Sequence, residues 1–143
     1  MKTGLQPMIL GFDPGLYKCG LAVMGQDKQL HYHQVVLAPD ATSIIQSLLQ
    51  KFPISIVVMG DRTTSIQWQQ QLKAQLPPTI TIVMVDEHNS TLQAREFYWQ
   101  MYPPKGLTKL IPQGLREPPR PIDDLVAILL IKRYLKATIR LES

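Results

Sequence analysis

The chain has 143 residues, of which 45% are hydrophobic and 18% are charged. This excludes a disordered or fibrous protein and predicts one domain, residues 1–143, with a buried core. The formal net charge of +4 allows a nucleic-acid partner but does not select one. No apolar run reaches the roughly 18 residues that cross a membrane, and the first ten residues lack secretory-signal features. We therefore expect a cytoplasmic protein with no membrane partner.

The first half of the chain predicts three strands and then a helix. Three apolar runs are bounded by turn residues such as Asp13-Pro-Gly15, which is typical of an antiparallel meander. These runs cover residues 7–12, 19–24 and 29–37. The chain's one cysteine, Cys19, lies in the second run and is expected to pack in the core. Apolar residues at helical spacing then predict a helix over 41–51.

The second half predicts alternating strands and helices. The strands are expected over 54–59 and 79–85, and the helices over 63–76, 89–101 and 122–139. Residues 102–121 are rich in proline, lysine and arginine, which predicts a long basic loop of the kind that is usually functional or mobile. Three antiparallel strands followed by alternating elements predict an α/β fold of the ribonuclease-H-like type. Its sheet would be mixed and five-stranded, with helices on both faces.

Carboxylates stand where predicted strands end and where the last helix begins. Asp13 follows the first strand, Asp86-Glu87 follows the last strand, and Asp123-Asp124 opens the last helix. Ligands bind open α/β sheets at the carboxyl ends of their strands. Carboxylate oxygens suit Mg²⁺ or Mn²⁺, and two such ions promote phosphodiester hydrolysis. Each acid taken alone is also explained as a turn or capping residue.

Taken in order, these motifs resemble those of the YqgF/RuvC-like family, which includes pre-16S rRNA nucleases and Holliday junction resolvases. The matching segments are Gly11-Phe-Asp-Pro-Gly15 with Gly20-Leu-Ala-Val23, Val85-Asp-Glu-His88, and Ile122-Asp-Asp-Leu-Val-Ala127. The resemblance implies that Asp13, Glu87 and Asp123 are catalytic acids that bind Mg²⁺ or Mn²⁺, as two ions. Asp124 would be an alternative or additional metal ligand.

The same resemblance implies what the chain acts on. It implies a monomeric or homodimeric endonuclease for structured RNA, in processing of the pre-16S rRNA 5′ end. Branched DNA, cut as by a Holliday junction resolvase, is the alternative. A phosphate-binding domain of the actin and sugar-kinase type also begins with Gly-x-Asp-x-Gly, but those proteins duplicate the fold and this chain has room for one copy.

The chain departs from the family pattern in two places. His88 stands where the family has an arginine, and Gly60-Asp-Arg62 replaces Gly-x-Pro after the fourth strand. A histidine holds a phosphate weakly and in a pH-dependent way. A non-catalytic nucleic-acid-binding member of the fold is therefore a further reading. Asp61 is either an extra carboxylate or a turn residue.

Basic and aromatic residues predict the contacts with nucleic acid. Lysine, arginine and histidine bind phosphates mostly without reading sequence, and the candidates are Lys18, Arg62, His88, Arg95, Lys105, Lys109, Arg116 and Arg120. Four aromatic residues either stack on unpaired bases or pack inside the protein; they are Trp68, Tyr98, Trp99 and Tyr102. His31 and His33 share one strand face, as metal ligands or as solvated residues.

Overall fold

The computed structural model describes residues 6–62 and 64–142, with side chains as far as Thr138. Its strands are β1 Met8–Asp13, β2 Lys18–Gly25, β3 Leu30–Leu37, β4 Ile54–Gly60 and β5 Thr81–Val85. Its α-helices are α1 Ala41–Lys51, α2 Ser65–Gln75, α3 Ser90–Met101 and α4 Asp123–Glu142. Each predicted element is present at nearly the predicted position. Thr63, where a helix was predicted to start, lies outside the described residues.

The five strands form one sheet in the order β3-β2-β1-β4-β5. Strands β1, β2 and β3 pair antiparallel, whereas β4 pairs parallel to β1 and β5 pairs parallel to β4. Parallel neighbours need a crossover connection, which α1 and α2 supply. The predicted mixed five-stranded sheet is confirmed. Its topology brings the carboxyl ends of β1, β4 and β5 to the same edge of the sheet.

Helices cover both faces of the sheet, and a hydrophobic core lies on each side. Leu10 and Phe12 of β1 pack in the core beneath α1 and α2, together with the fully buried Cys19. Ile9 belongs to the other core, beneath α3 and α4. Because side chains alternate along a strand, Asp13 extends from the same face as Ile9, towards α4.

Arginine side chains hold the segment between α3 and α4 in place. It contains two short 3₁₀ helices, Gly106–Leu110 and Gln113–Leu115. The Nε of Arg116 donates to the carbonyl oxygen of Ile111 at 2.8 Å, and Arg95 donates to the carbonyl oxygen of Arg116 at 3.2 Å. Among the described residues, no helix has both the length and the apolar character needed to cross a membrane.

Candidate active site

Asp13 and Glu87 meet at the sheet edge where β1, β4 and β5 end. Their side chains are buried, with 2% and 7% of their surfaces exposed, and their carboxyl groups lie within hydrogen-bonding reach of each other. Glu87 reaches Asp13 by crossing Gly60 at the end of β4. A Cβ atom on Gly60 would collide with the Glu87 carboxylate. The glycine therefore leaves the space that brings the two acids together.

The Asp13–Glu87 pair is electrostatically costly. Burial is the main reason that the pKa of Asp13 rises to about 9, and a hydrogen bond and Coulomb repulsion from Glu87 raise it further. Asp123 also raises it, whereas the positive charge of Arg62 lowers it. Asp13 Oδ1 and Glu87 Oε1 are buried, and no other residue within 6–62 and 64–142 donates a hydrogen bond to either oxygen. Such a pair needs a shared proton or a cation.

A second glycine places Asp123 near the pair. Gly20 of β2 lies opposite Asp13 in the sheet, and a Cβ atom on Gly20 would collide with the backbone carbonyl of Asp123. The first turn of α4 therefore rests directly on the strand beside Asp13. The same negative charges act on the Cys19 thiol. Burial raises the pKa of this thiol to about 11, and the charges of Asp13 and Asp123 raise it further.

Asp124 is bonded to other residues. Its Oδ2 lies 2.6 Å from Nδ1 of His33, and its Oδ1 accepts a hydrogen bond from Nη1 of Arg120 at 3.0 Å. Successive helical residues differ in direction by roughly 100°, so Asp123 and Asp124 face different surroundings. Asp124 is 2% exposed and links the start of α4 to β3. Of the two strand histidines, only His33 makes this link, and His31 is exposed beside Phe52.

The donor chemistry of the Asp13–Glu87 pair fits a hard divalent cation. Carboxylate oxygens are the ligands that Mg²⁺ and Mn²⁺ prefer, and two of them here are buried without a donor. Arg62 now supplies the positive charge, because its Nε and backbone N each lie 3.1 Å from Glu87 Oε2. In the part of the chain that is described, no three His, Cys, Asp or Glu side chains already converge as a metal site.

Hydrogen bonds from Arg133 hold the turn that contains Glu87, and the sequence did not predict them. Arg133, in the middle of α4, donates to the carbonyl oxygens of Asp86 and His88, both at 2.6 Å. It also donates to Gln93 Oε1 at 3.0 Å. From the other side, Asp61 Oδ1 accepts a hydrogen bond from the Glu87 backbone N at 3.3 Å, which ties the end of β4 to the turn after β5. A lone arginine in a helix carries no sequence signal for such contacts.

The predicted phosphate-binding residues fall into two groups. The four arginines are engaged within the protein: Arg62 bonds Glu87, Arg95 bonds Glu117, Arg116 bonds the loop backbone, and Arg120 bonds Asp124. His88, Lys105, Lys109 and Lys18 are exposed, and their side chains make no ion pair with any other described residue. Lys18 is the member of this second group nearest to Asp13 in the sequence.

The aromatic candidates also differ in exposure. Trp68 packs edge-on against Phe12 with ring centroids 5.1 Å apart, and Tyr98 is buried. Tyr102 is 42% exposed at the end of α3. Tyr17, which sequence reasoning did not single out, is 82% exposed in the loop after Asp13. Nothing in the sequence distinguishes Tyr17 from an ordinary loop residue; its exposure is seen only in the structure.

Comparisons with family models and with curated proteins find no match for this sequence. Solved structures do match. Thermus thermophilus RuvC in complex with a Holliday junction substrate is 19% identical, covers 94% of this chain and 96% of its own, and has a TM-score of 0.63. Another T. thermophilus RuvC structure is 18% identical, with coverages of 91% and 96% and a TM-score of 0.49. The first likeness confirms the predicted ribonuclease-H-like fold.

Proposed function

We propose that this chain is a metal-dependent endonuclease that hydrolyses phosphodiester bonds in structured nucleic acid. The observation that carries the proposal is the Asp13–Glu87 pair, two buried carboxyl groups in contact with one oxygen of each left without a donor. Structural carboxylates in a protein core are normally hydrogen-bonded. Two buried carboxyl groups at the carboxyl edge of a sheet, each with one oxygen that lacks a donor, form a costly arrangement that is typical of ligand-binding sites.

Asp13, Glu87 and Asp123 are the residues that would hold Mg²⁺ or Mn²⁺, as two ions. When bound, the ions supply Lewis acidity and a water of lowered pKa. The chain's own residues supply negative charge, orientation and partial exclusion of bulk water. Arg62 keeps Glu87 in place and, with 45% of its side chain exposed, offers a phosphate contact at the rim of the site.

Two substrate classes follow from different observations. The RuvC structure with the higher TM-score is described with a Holliday junction substrate, which favours a four-way DNA junction for this chain. The other substrate, the 5′ end of pre-16S rRNA, is suggested by the sequence motifs around Asp13, Glu87 and Asp123. The exposed Lys18 and Tyr17 suit either substrate, because cations bind backbone phosphates and aromatic rings stack on unpaired bases.

Cleavage assays test the proposal directly. The purified protein is incubated with a labelled four-way DNA junction and with a pre-16S rRNA fragment, each in Mg²⁺, Mn²⁺ or EDTA. We expect metal-dependent cuts that Asp13→Asn abolishes and that Asp40→Asn, at an exposed acid before α1, leaves intact. Binding without cleavage above the Asp13→Asn background would reject the enzyme and select the non-catalytic reading. Sedimentation velocity determines whether the active species is a monomer or a homodimer.

A further inference from the structure

A cavity at the start of α4 has no role in the proposed metal site, since neither Asp13, Glu87 nor Asp123 lines it. It has a volume of about 280 Å³ and opens between the end of α3, the start of α4 and the edge strand β3. Its wall includes Asp124, the residue next to Asp123. This volume is close to the lower limit of about 300 Å³ for ligand pockets, so the cavity suits a small planar group such as one nucleobase rather than a large cofactor.

One wall of the cavity is partly aromatic. The guanidinium of Arg120 lies 5.6 Å from the Tyr98 ring centroid and 5.8 Å from the Tyr102 ring centroid. Tyr98 is buried beneath this layer, whereas Tyr102 is 42% exposed and lines the cavity with Arg120. An exposed aromatic ring beside a guanidinium plane is the kind of surface on which a nucleobase stacks.

Hydrogen bonds within the protein already order the polar side chains of the cavity in the absence of a ligand. Asp124 is almost fully buried and holds His33 on one oxygen and Arg120 on the other. These bonds occupy Nδ1 of His33 and Nη1 of Arg120, while both side chains remain partly exposed. Groups that are already ordered lose little conformational entropy on binding. The carboxylate charge is also balanced, so the cavity does not repel a nucleotide.

We infer that this cavity binds one unpaired nucleobase of the nucleic acid, stacked on Tyr102 and Arg120. The second ring nitrogen of His33 and the partly exposed guanidinium of Arg120 provide the polar contacts at the base edge. This inference rests on the proposed function for the identity of the ligand. It extends that function by assigning a base-binding subsite next to Asp123.

Binding without metal separates this inference from catalysis. Two fluorescent oligonucleotides of about eight nucleotides are compared in EDTA, one of thymidine and one of the same length with abasic residues. We expect the full-length protein to prefer the base-containing oligonucleotide and Tyr102→Ala to weaken that binding at least fivefold. Affinity for the abasic oligonucleotide should not change, because its phosphates are held elsewhere. Tyr102→Phe should keep the preference, since it retains the ring.

A second measurement uses the unaltered protein. An oligonucleotide with a single 2-aminopurine should lose fluorescence on binding, and Tyr102→Ala should restore it; thermal unfolding verifies that the variant is folded. Equal loss of affinity for both oligonucleotides, or no quenching in the unaltered protein, would overturn the inference. Base-dependent binding without any cleavage in Mg²⁺ would instead reject the proposed nuclease and leave this subsite standing.

Discussion

The side chain of Glu87 occupies the space that a Cβ atom on Gly60 would take. Glu87 enters from the turn after β5, crosses the end of β4 and meets Asp13 at the end of β1. The contact between the two acids therefore depends on an unsubstituted position on the strand between them.

Gly60→Ala should displace Glu87 and lower metal-dependent cleavage at least tenfold, while the sheet still forms. The added methyl group meets the carboxylate of a side chain rather than backbone, so the protein accommodates it by moving Glu87. Gly114→Ala is the matched control, because nothing lies within 4 Å of a Cβ atom there. Cleavage rates and circular dichroism are measured for both. Full activity in Gly60→Ala would show that Glu87 is not needed near Asp13.

Asp13→Asn should stabilise the metal-free protein at pH 8. The folded-state pKa of Asp13 is raised from 3.8 to about 9, so its stabilising contribution is complete below pH 4 and is lost as pH rises through about 9. An amide does not titrate and avoids this loss. We expect a gain of several kcal/mol at pH 8 and little difference at pH 4, since pH 8 lies about four units above the unfolded-state pKa and each unit corresponds to about 1.4 kcal/mol.

Urea unfolding in EDTA at the two pH values measures the effect. Asp40→Asn, at an exposed acid, is the control and should leave stability nearly unchanged at both. A destabilised Asp13→Asn variant at pH 8 would mean that the Asp13 carboxylate is satisfied by donors and is not held in a costly site.

Binding of Mg²⁺ should release a proton and should tighten as pH rises. A cation and a proton compete for the Asp13–Glu87 pair, and the raised pKa of Asp13 keeps the proton in place up to about pH 9. We expect affinity to increase by up to about tenfold per pH unit below that value. Calorimetry in buffers of different ionisation enthalpy counts the protons. Affinity that is independent of pH between 6 and 8 would contradict the competition.

Asp123→Asn should weaken metal binding with little effect on stability, whereas Asp124→Asn should mainly lower stability. Asp123 is half-buried and contributes to the field at Asp13, so its amide should lose metal affinity and keep a nearly unchanged melting temperature. Asp124 is buried between His33 and Arg120, and its amide should cost about 1–3 kcal/mol of stability. Melting temperatures and Mg²⁺ titrations of the two variants determine which aspartate is the metal ligand. The reverse pattern would make Asp124 the metal ligand.

Arg133→Ala should lower the cleavage rate constant by about tenfold and affect substrate affinity much less. Arg133 donates to the carbonyl oxygens of Asp86 and His88 on either side of Glu87, so its loss loosens the turn that aims Glu87 at Asp13. Lys136→Ala, one turn further along α4 at an exposed position, is the control. A changed KM with an unchanged kcat would assign Arg133 to substrate binding instead of to positioning.

The sequence predicted the parts of this molecule that local patterns encode. The spacing of apolar residues distinguished the strands from the helices. Because parallel strands bring their carboxyl ends to one edge of a sheet, the proximity of Asp13 and Glu87 could also be predicted. The contacts of Arg133 and His33 were not, because each joins residues far apart in the chain; Arg133 and Asp86 are 47 positions apart. Helical rotation predicts that Asp123 and Asp124 point in different directions, but which residues each one faces depends on the packing of α4 against β2 and β3.

The ion pair between Arg62 and Glu87 also affects which ions can enter the site. Arg62 already supplies one positive charge, and its covalent attachment gives it a high effective concentration beside Glu87. A monovalent ion such as K⁺ offers no more charge than the guanidinium it would displace. A divalent ion carries more charge than the guanidinium and interacts with both carboxylates, which compensates for the loss of the Arg62–Glu87 ion pair. On the proposed function, the tethered arginine would therefore disfavour monovalent cations at the carboxylate pair relative to divalent ones.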